Sequence, residues 1–128
     1  MPGDRVIADT SAVAALLFGE PGGPGVADRL EDHAVFAPTL LRYELASVCL
    51  KKGMADPHNR QGLLAALRLF PRLRIREVQV PSDALVEAAA ASGLTAYDAA
   101  YLWLSRELEG ELVSLDDRLN KAAGKGDQ

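Results

Sequence analysis

Short β-prone runs alternate with helical stripes along the whole of this sequence, and that alternation leaves few architectures open. Val6-Ile7-Ala8 ends at Asp9 and gives way to Ala12, Val13, Leu16 and Leu17 at helical spacing. Val35-Phe36-Ala37, closed by Pro38, gives way to the stripe Leu41, Leu45, Val48 and Cys49 between Thr39 and Lys52. Ile75, Val78 and Val80 suggest a third strand, irregular because their spacing is not strictly two, and Leu112-Val113-Ser114-Leu115 is a fourth, set off by Gly110. Strands that alternate with helices predict an α/β fold, a parallel sheet covered on both faces.

Glycine, proline and capping residues punctuate the pattern. Gly19 to Gly25 holds four glycines and two prolines and reads as a loop, with a short helix from Val26 to Leu30 behind it. Gly53 stands where the helix from Thr39 to Lys52 wants a left-handed end. Asp56-Pro57 reads as an N-cap and first helical residue for a stripe through Leu63, Leu64, Leu67 and Phe70 toward Pro71. Ser82 opens an alanine-rich helix that stops at Gly93, and Thr95 begins another that runs to about Leu108. Asp116-Asp117-Arg118-Leu119 leads into a last helical turn, with Gly124 to Gln128 a frayed tail. No repeat or second domain interrupts residues 1–128, which reads as one domain.

Composition removes several classes of protein. With 48% apolar and 25% charged residues the chain is an ordinary globular sequence, and its single cysteine, Cys49, can neither bridge internally nor share a thiolate metal site. Met1-Pro2-Gly3-Asp4-Arg5 carries no export signal, and charges interrupt every apolar run before the roughly 18 residues of a membrane span. A cytoplasmic protein that does not enter membranes is expected. The formal charge of −4 argues against a non-specific nucleic-acid coat, though not against an enzyme whose bound cations supply local positive charge.

Four acids stand in surroundings that rarely hold them. Asp9 ends the first strand, Glu44 lies in the stripe of Leu41 and Val48, Asp98 sits among Leu94, Tyr101 and Leu102, and Asp116 ends the fourth strand. If strands one and four are neighbours, Asp9 and Asp116 meet at a topological switch point, where parallel sheets bind ligands. Two unpaired charges about 5 Å apart repel by roughly 3 kcal/mol at an effective dielectric of about 20, so a cation is the expected remedy. Hard oxygen donors without a histidine pair suit Mg²⁺ or Mn²⁺, and metal-assisted phosphodiester hydrolysis is the chemistry they serve best.

Each acid also has a plain structural role open to it. Asp9 before Thr10-Ser11 can cap the first helix, Asp98 completes a near capping box with Thr95, Glu44 can snorkel, and Asp116 or Asp117 can cap the last turn. Ser11 reads as a supporting or capping hydroxyl; His33 and His58 as solvated; Tyr101 and Trp103 as core or interface. The glycine-rich loop lacks the Gly-Lys-Ser/Thr of a phosphate loop.

Ala8-Asp9-Thr10-Ser11-Ala12, Leu41-Arg42-Tyr43-Glu44-Leu45, Leu94-Thr95-Ala96-Tyr97-Asp98-Ala99-Ala100-Tyr101 and Leu112-Val113-Ser114-Leu115-Asp116 together resemble the PIN-domain family, most closely the VapC-type toxins of toxin–antitoxin modules. The resemblance implies a three-layer α/β/α sandwich with a mostly parallel sheet of four or five strands. It implies a Mg²⁺- or Mn²⁺-dependent endoribonuclease, usually a homodimer, acting on RNA and silenced by a cognate antitoxin protein. Carried over, the catalytic and metal-binding quartet is Asp9, Glu44, Asp98 and Asp116, with Thr10, Ser11, Ser114 and Asp117 in support. A non-catalytic RNA-binding or protein-interaction module on the same fold is the rival reading. The retention of all four acids weighs against it. A phosphoryl-accepting receiver is a further rival, but the paired aspartates and the lysine it needs are absent.

Overall fold

The computed structural model describes residues 4–124. Strands β1 (Arg5–Ala8), β2 (Ala34–Pro38), β3 (Arg76–Val78) and β4 (Glu111–Val113) form one sheet in the order β3-β2-β1-β4, and every pairing is parallel. Helices α1 (Thr10–Leu17) and α2 (Gly23–Leu30) join β1 to β2, while α3 (Leu41–Ala55) and α4 (Arg60–Leu67) join β2 to β3. Helices α5 (Ser82–Ser92) and α6 (Ala96–Glu107) return the chain to β4, and α7 (Asp117–Ala122) follows.

The layering follows from this order. From β1 to β3 the chain steps across the sheet in one direction, then reverses to place β4 on the other side of β1. Right-handed crossovers therefore put α1 to α4 on one face and α5 and α6 on the other, the three-layer α/β/α arrangement expected. Because β1 is central and covered on both faces, Val6, Ile7 and Ala8 are all at most 1% exposed, which is why they form a continuous apolar run rather than an alternating one. Leu41 and Leu45 of α3, Leu102 and Leu104 of α6, and Leu119 of α7 join Leu112 and Val113 in the same core.

Several boundaries differ from the sequence expectation. The loop expected through Gly25 ends sooner, because α2 already begins at Gly23 with Pro24 in its first turn. A Cβ on Gly23 would lie 2.7 Å from the Ala15 carbonyl oxygen, so this glycine serves the close approach of α2 to α1. Gly53 is an interior residue of α3, which continues to Ala55 and stops at Asp56, held extended ahead of Pro57. Asp56 makes no side-chain cap; Pro57–Asn59 form a 3₁₀ turn before α4, and a second turn at Phe70–Leu73 replaces the end of the expected helix. Pro81 rather than Ser82 is the N-cap of α5, Ile75 and Val80 fall outside β3, and Ser114 and Leu115 fall outside β4. Gly93 does take the left-handed conformation expected of it, at φ 76°. No fifth strand occurs among the described residues, and most of the expected frayed tail, residues 125–128, lies outside them.

Candidate active site

The carboxyl ends of β1 and β4 lie side by side. Ala8 is in register with Val113, and the Asp9 N–H donates to the Val113 carbonyl at 3.1 Å, so the residues that follow the two strands face each other at the switch point. This is the meeting of Asp9 and the Asp116 loop that the strand order was expected to decide.

Asp9 is only 5% exposed. Its Oδ1 accepts from the Ser11 hydroxyl at 2.7 Å and the Ala12 N–H at 3.0 Å, and its Oδ2 accepts from the Ser114 hydroxyl at 2.6 Å. Burial pushes its pKa up, the three donors oppose that rise, and the charge of Asp116 adds to it. Asp9 is therefore both the helix cap and the buried acid that the sequence allowed as alternatives. Ser11 and Ser114 are tied into the opposite loop as well, since Ser11 Oγ accepts from the Leu115 N–H and Ser114 Oγ from the Asp116 N–H, each at 2.9 Å.

Glu44 of α3 is half-buried and answered by hydroxyls rather than left unpaired. Its Oε1 accepts from Thr10 and from Tyr101, each at 2.7 Å, and the two hydroxyl oxygens are 2.9 Å apart. Each hydroxyl has one proton, so both protons can point at Oε1 only by leaving the edge between the hydroxyls unbonded. The Tyr101 pKa is driven far above the ordinary tyrosine range by burial first, then by the charge of Glu44. Tyr101 thus stays a phenol and a donor. Because it sits on α6 while Thr10 and Glu44 sit on α1 and α3, this cluster ties the two helical layers together past the strand ends.

Asp98 and Asp116 are half-buried and Asp117 is exposed. The Asp98 N–H donates to Thr95 Oγ1 at 3.1 Å, which is half of a capping box, and its carboxylate makes no hydrogen bond or ion pair among the described residues. Asp116 caps α7 through Oδ1, accepting from the N–H groups of Arg118 and Leu119. Asp117 is the first residue of α7 and is not tied to the others. Thus Asp9, Ser11, Ser114 and Asp116 form one connected group, Thr10, Glu44 and Tyr101 a second that joins it through the Asp9–Thr10 backbone, while Asp98 stands in the turn of α6 before Tyr101.

The picture of several buried, unpaired carboxylates needs correction. Only Asp9 is buried, and hydroxyl donors satisfy both it and Glu44 without a cation. No three Asp, Glu, His or Cys side chains among the described residues stand close enough to hold an ion by themselves. Mg²⁺ asks less, commonly taking one or two carboxylates and keeping several waters. An all-oxygen donor set suits such an ion, and Asp9 and Asp116, the second of which adds its charge to the first, are the residues that could hold it.

Two contributors escaped sequence reasoning. The sequence reads Tyr101 as core or interface, and core is correct for its ring, at 1% exposure; its spacing of three from Asp98 is the available signal that its hydroxyl faces the same end. Asn120 donates from Nδ2 to the Ser114 carbonyl at 2.9 Å and keeps a buried Oδ1 without a partner, and nothing in its sequence context pointed to it.

Comparison with known proteins follows the same lines. A family model described as PIN domain matches residues 6–125. Among solved structures, the crystal structure of PAE2754 from Pyrobaculum aerophilum aligns with a TM-score of 0.75 at 19% identity, covering 96% of this chain and 89% of that one, a likeness of fold. No curated protein sequence matches the chain. Among the described residues no helix is long and apolar enough to cross a membrane.

Proposed function

From the premise that the chain belongs to the PIN-domain family, whose members are in general metal-dependent nucleases, we propose that it is a toxin-type endoribonuclease that hydrolyses RNA phosphodiester bonds. The observation that carries this reading is Asp9: a carboxylate buried at the end of the central strand, at the switch point, with each oxygen fixed by a hydroxyl and a second acid bearing on it. An acid kept there against its own desolvation is poorly explained by capping alone, since a serine or asparagine would cap as well.

Asp9 and Asp116 would hold Mg²⁺ or Mn²⁺, with Glu44 and Asp98 completing the acidic quartet. Such an ion supplies positive charge to the phosphodiester and lowers the pKa of a water nucleophile. The chain's own part is positioning. Ser11, Ser114 and the Ala12 N–H fix the Asp9 carboxylate, while Thr10 and Tyr101 fix that of Glu44, so neither must reorganise when substrate arrives. Asp98, whose carboxylate is uncommitted, is free to face substrate or its waters.

The toxin reading adds a cytoplasmic location, a homodimer and a cognate antitoxin. An apolar cleft of about 480 Å³ between α3 and α4, lined by Cys49, Leu50, Met54, Leu64 and Leu67, supports a partner helix, as do Leu50 and Met54 at 63% and 72% exposure. An arginine from the antitoxin laid against the acids would replace the cation's charge.

The test sequences the fragments released from RNA by the purified chain with Mg²⁺, with chelator, and with Asp9→Asn, Glu44→Gln, Asp98→Asn or Asp116→Asn. Cleavage should require metal and fall about a hundredfold in each variant, with melting curves showing an intact fold. Near-normal cleavage by Asp98→Asn would overturn the mechanism; RNA binding without cleavage by the wild type would favour the non-catalytic reading. Co-expression with the neighbouring small open reading frame should yield an inactive complex. Failure to bind, with no growth defect from the chain alone, would remove the toxin role.

A further inference from the structure

The stripe of α3 that carries Glu44 also carries Val48 and Lys52, each four residues further on, and this stripe faces α1. Between the two helices lies a cleft of about 490 Å³, a size common for small-ligand sites. At one end stand Thr10 and Ser11, whose hydroxyls hold Glu44 and Asp9. Ala14, Val48 and Leu115 make apolar walls, and Lys52 and Glu20 close the far end. Leu115 is 48% exposed although it packs closely on Gly22, where a Cβ would lie 2.7 Å from its Cδ1. The cleft is thus apolar along its length and charged at its end, and it begins at the acidic site.

The charged end is built to hold its two groups side by side. Lys52 Nζ is 5.9 Å from the centre of the Phe18 ring and 3.7 Å from Glu20 Oε2, beyond hydrogen-bond reach. The Glu20 backbone is fixed by its turn, with its N–H donating to the Ala15 carbonyl and its carbonyl accepting from the Gly23 N–H, each at 2.9 Å. An ammonium donor and a carboxylate acceptor therefore stand next to each other with their hydrogen-bonding capacity unspent. The Watson–Crick edge of guanine matches this pair: O6 accepts, and the adjoining N1–H and N2–H both donate, one to each carboxylate oxygen. Adenine, cytosine and uracil each donate from a single atom on that edge. Eight residues of helix separate Lys52 from Glu44, about 12 Å, which a ribose and purine can cross from a phosphate held at the acids.

We propose that this cleft takes the base of a nucleotide beside the scissile phosphate, with Val48 and Leu115 covering the ring and Glu20 and Lys52 selecting guanine. This rests on the nuclease reading for the presence of an RNA strand, and it adds which base the strand carries there. An unpaired base read on its Watson–Crick edge also requires the RNA to be single-stranded at the cut.

The test measures binding of labelled pentanucleotides by fluorescence anisotropy in chelator, where nothing is cut, with uridine at every position except the central one. Central guanine should bind about tenfold more tightly than central adenine, cytosine or uracil, the discrimination of one well-made bidentate contact. Inosine, which lacks the N2 amine, should lose most of that advantage, and 7-deazaguanine, altered on the opposite edge, should keep it; neither arm needs a variant protein. Glu20→Gln should lose the advantage. The exchanged pair Glu20→Lys/Lys52→Glu retains opposite charges and should melt with the wild type, yet it should lose the advantage too, which a merely structural ion pair would not do. In a long RNA with Mg²⁺, wild-type cuts should fall at a fixed offset from guanine. Equal binding of the central bases, a preference for a base other than guanine, or a guanine advantage kept by the exchanged pair overturns the proposal. Cuts at no fixed offset from guanine also overturn it and leave the nuclease reading intact. Guanine-selective binding with no cut under Mg²⁺ or Mn²⁺ retracts the nuclease reading and leaves the base site standing.

Discussion

Tyr101→Phe removes one oxygen from the site and leaves the ring that fills the core. The phenol donates to Glu44 Oε1 at 2.7 Å, and hydrogen bonds to charged groups contribute about 1.5–3 kcal/mol. Glu44 is half-buried and water can partly replace the lost donor, which places the expected destabilisation near the lower bound, about 1.5 kcal/mol, or about 5 °C in melting temperature for a chain of this size. Thr10 still holds Oε1, so cleavage should fall about tenfold rather than vanish. A double-mutant cycle with Thr10→Val gives the sharper answer. Both hydroxyls act on the same oxygen, so their effects on urea-unfolding free energy should be non-additive by at least about 0.5 kcal/mol. The pH dependence gives a second check. Because the folded pKa of Tyr101 lies above its ordinary 10.0, the unfolded chain ionises first, and wild-type stability falls as pH rises past that value; Tyr101→Phe lacks this share of the fall. Additivity within about 0.3 kcal/mol, with cleavage unchanged, would refute the idea that Tyr101 positions Glu44.

Further outcomes follow from the same contacts. Asp9 has a raised folded pKa, so its ionisation costs the folded state more than the unfolded one, and wild-type stability falls as pH rises from about 3.8 toward the folded value. Asp9→Asn should remove that decline and be more stable than the wild type at neutral pH while losing cleavage; urea unfolding from mildly acidic to neutral pH checks it, and a less stable variant at neutral pH would contradict it. Gly23→Ala should destabilise by about 1–3 kcal/mol by pushing α2 from the Ala15 carbonyl, seen as a lower melting temperature. Mg²⁺ or Mn²⁺ should raise the melting temperature at neutral pH, and the rise should shrink as the acids protonate; a shift independent of pH would count against carboxylate ligands.

The fold was legible where one signal outweighed its competitors. The apolar runs of β1 and β4 and the stripes of α3 and α6 are long or uniform enough to identify their elements, and alternation alone gave parallel strands. Boundaries failed where a residue's usual role gave way to its neighbours. Gly53 could end α3, but Met54 and Ala55 continue a helix at low cost and Pro57 supplies the stop. The Gly-Pro-Gly at 23–25 looked like loop, but proline suits a helix's first turn and Gly23 is needed where α2 crosses α1.

At the site, acid positions could be read and their partners could not. A carboxylate out of place in an apolar run is visible in one dimension, whereas the donors that make it tolerable come from residues as distant as Ser114 for Asp9 and Tyr101 for Glu44. The sequence left capping and ligation at Asp9 as alternatives, and the geometry makes them compatible. A carboxylate offers about four acceptor positions. Oδ1 uses two, for Ser11 and the Ala12 N–H, and Oδ2 uses one, for Ser114. One position is left, on the oxygen turned toward β4, the strand that leads to Asp116. If Asp9 takes a cation, as proposed, the cap does not compete for the position, because it draws on Oδ1 while the unused acceptor position is on Oδ2.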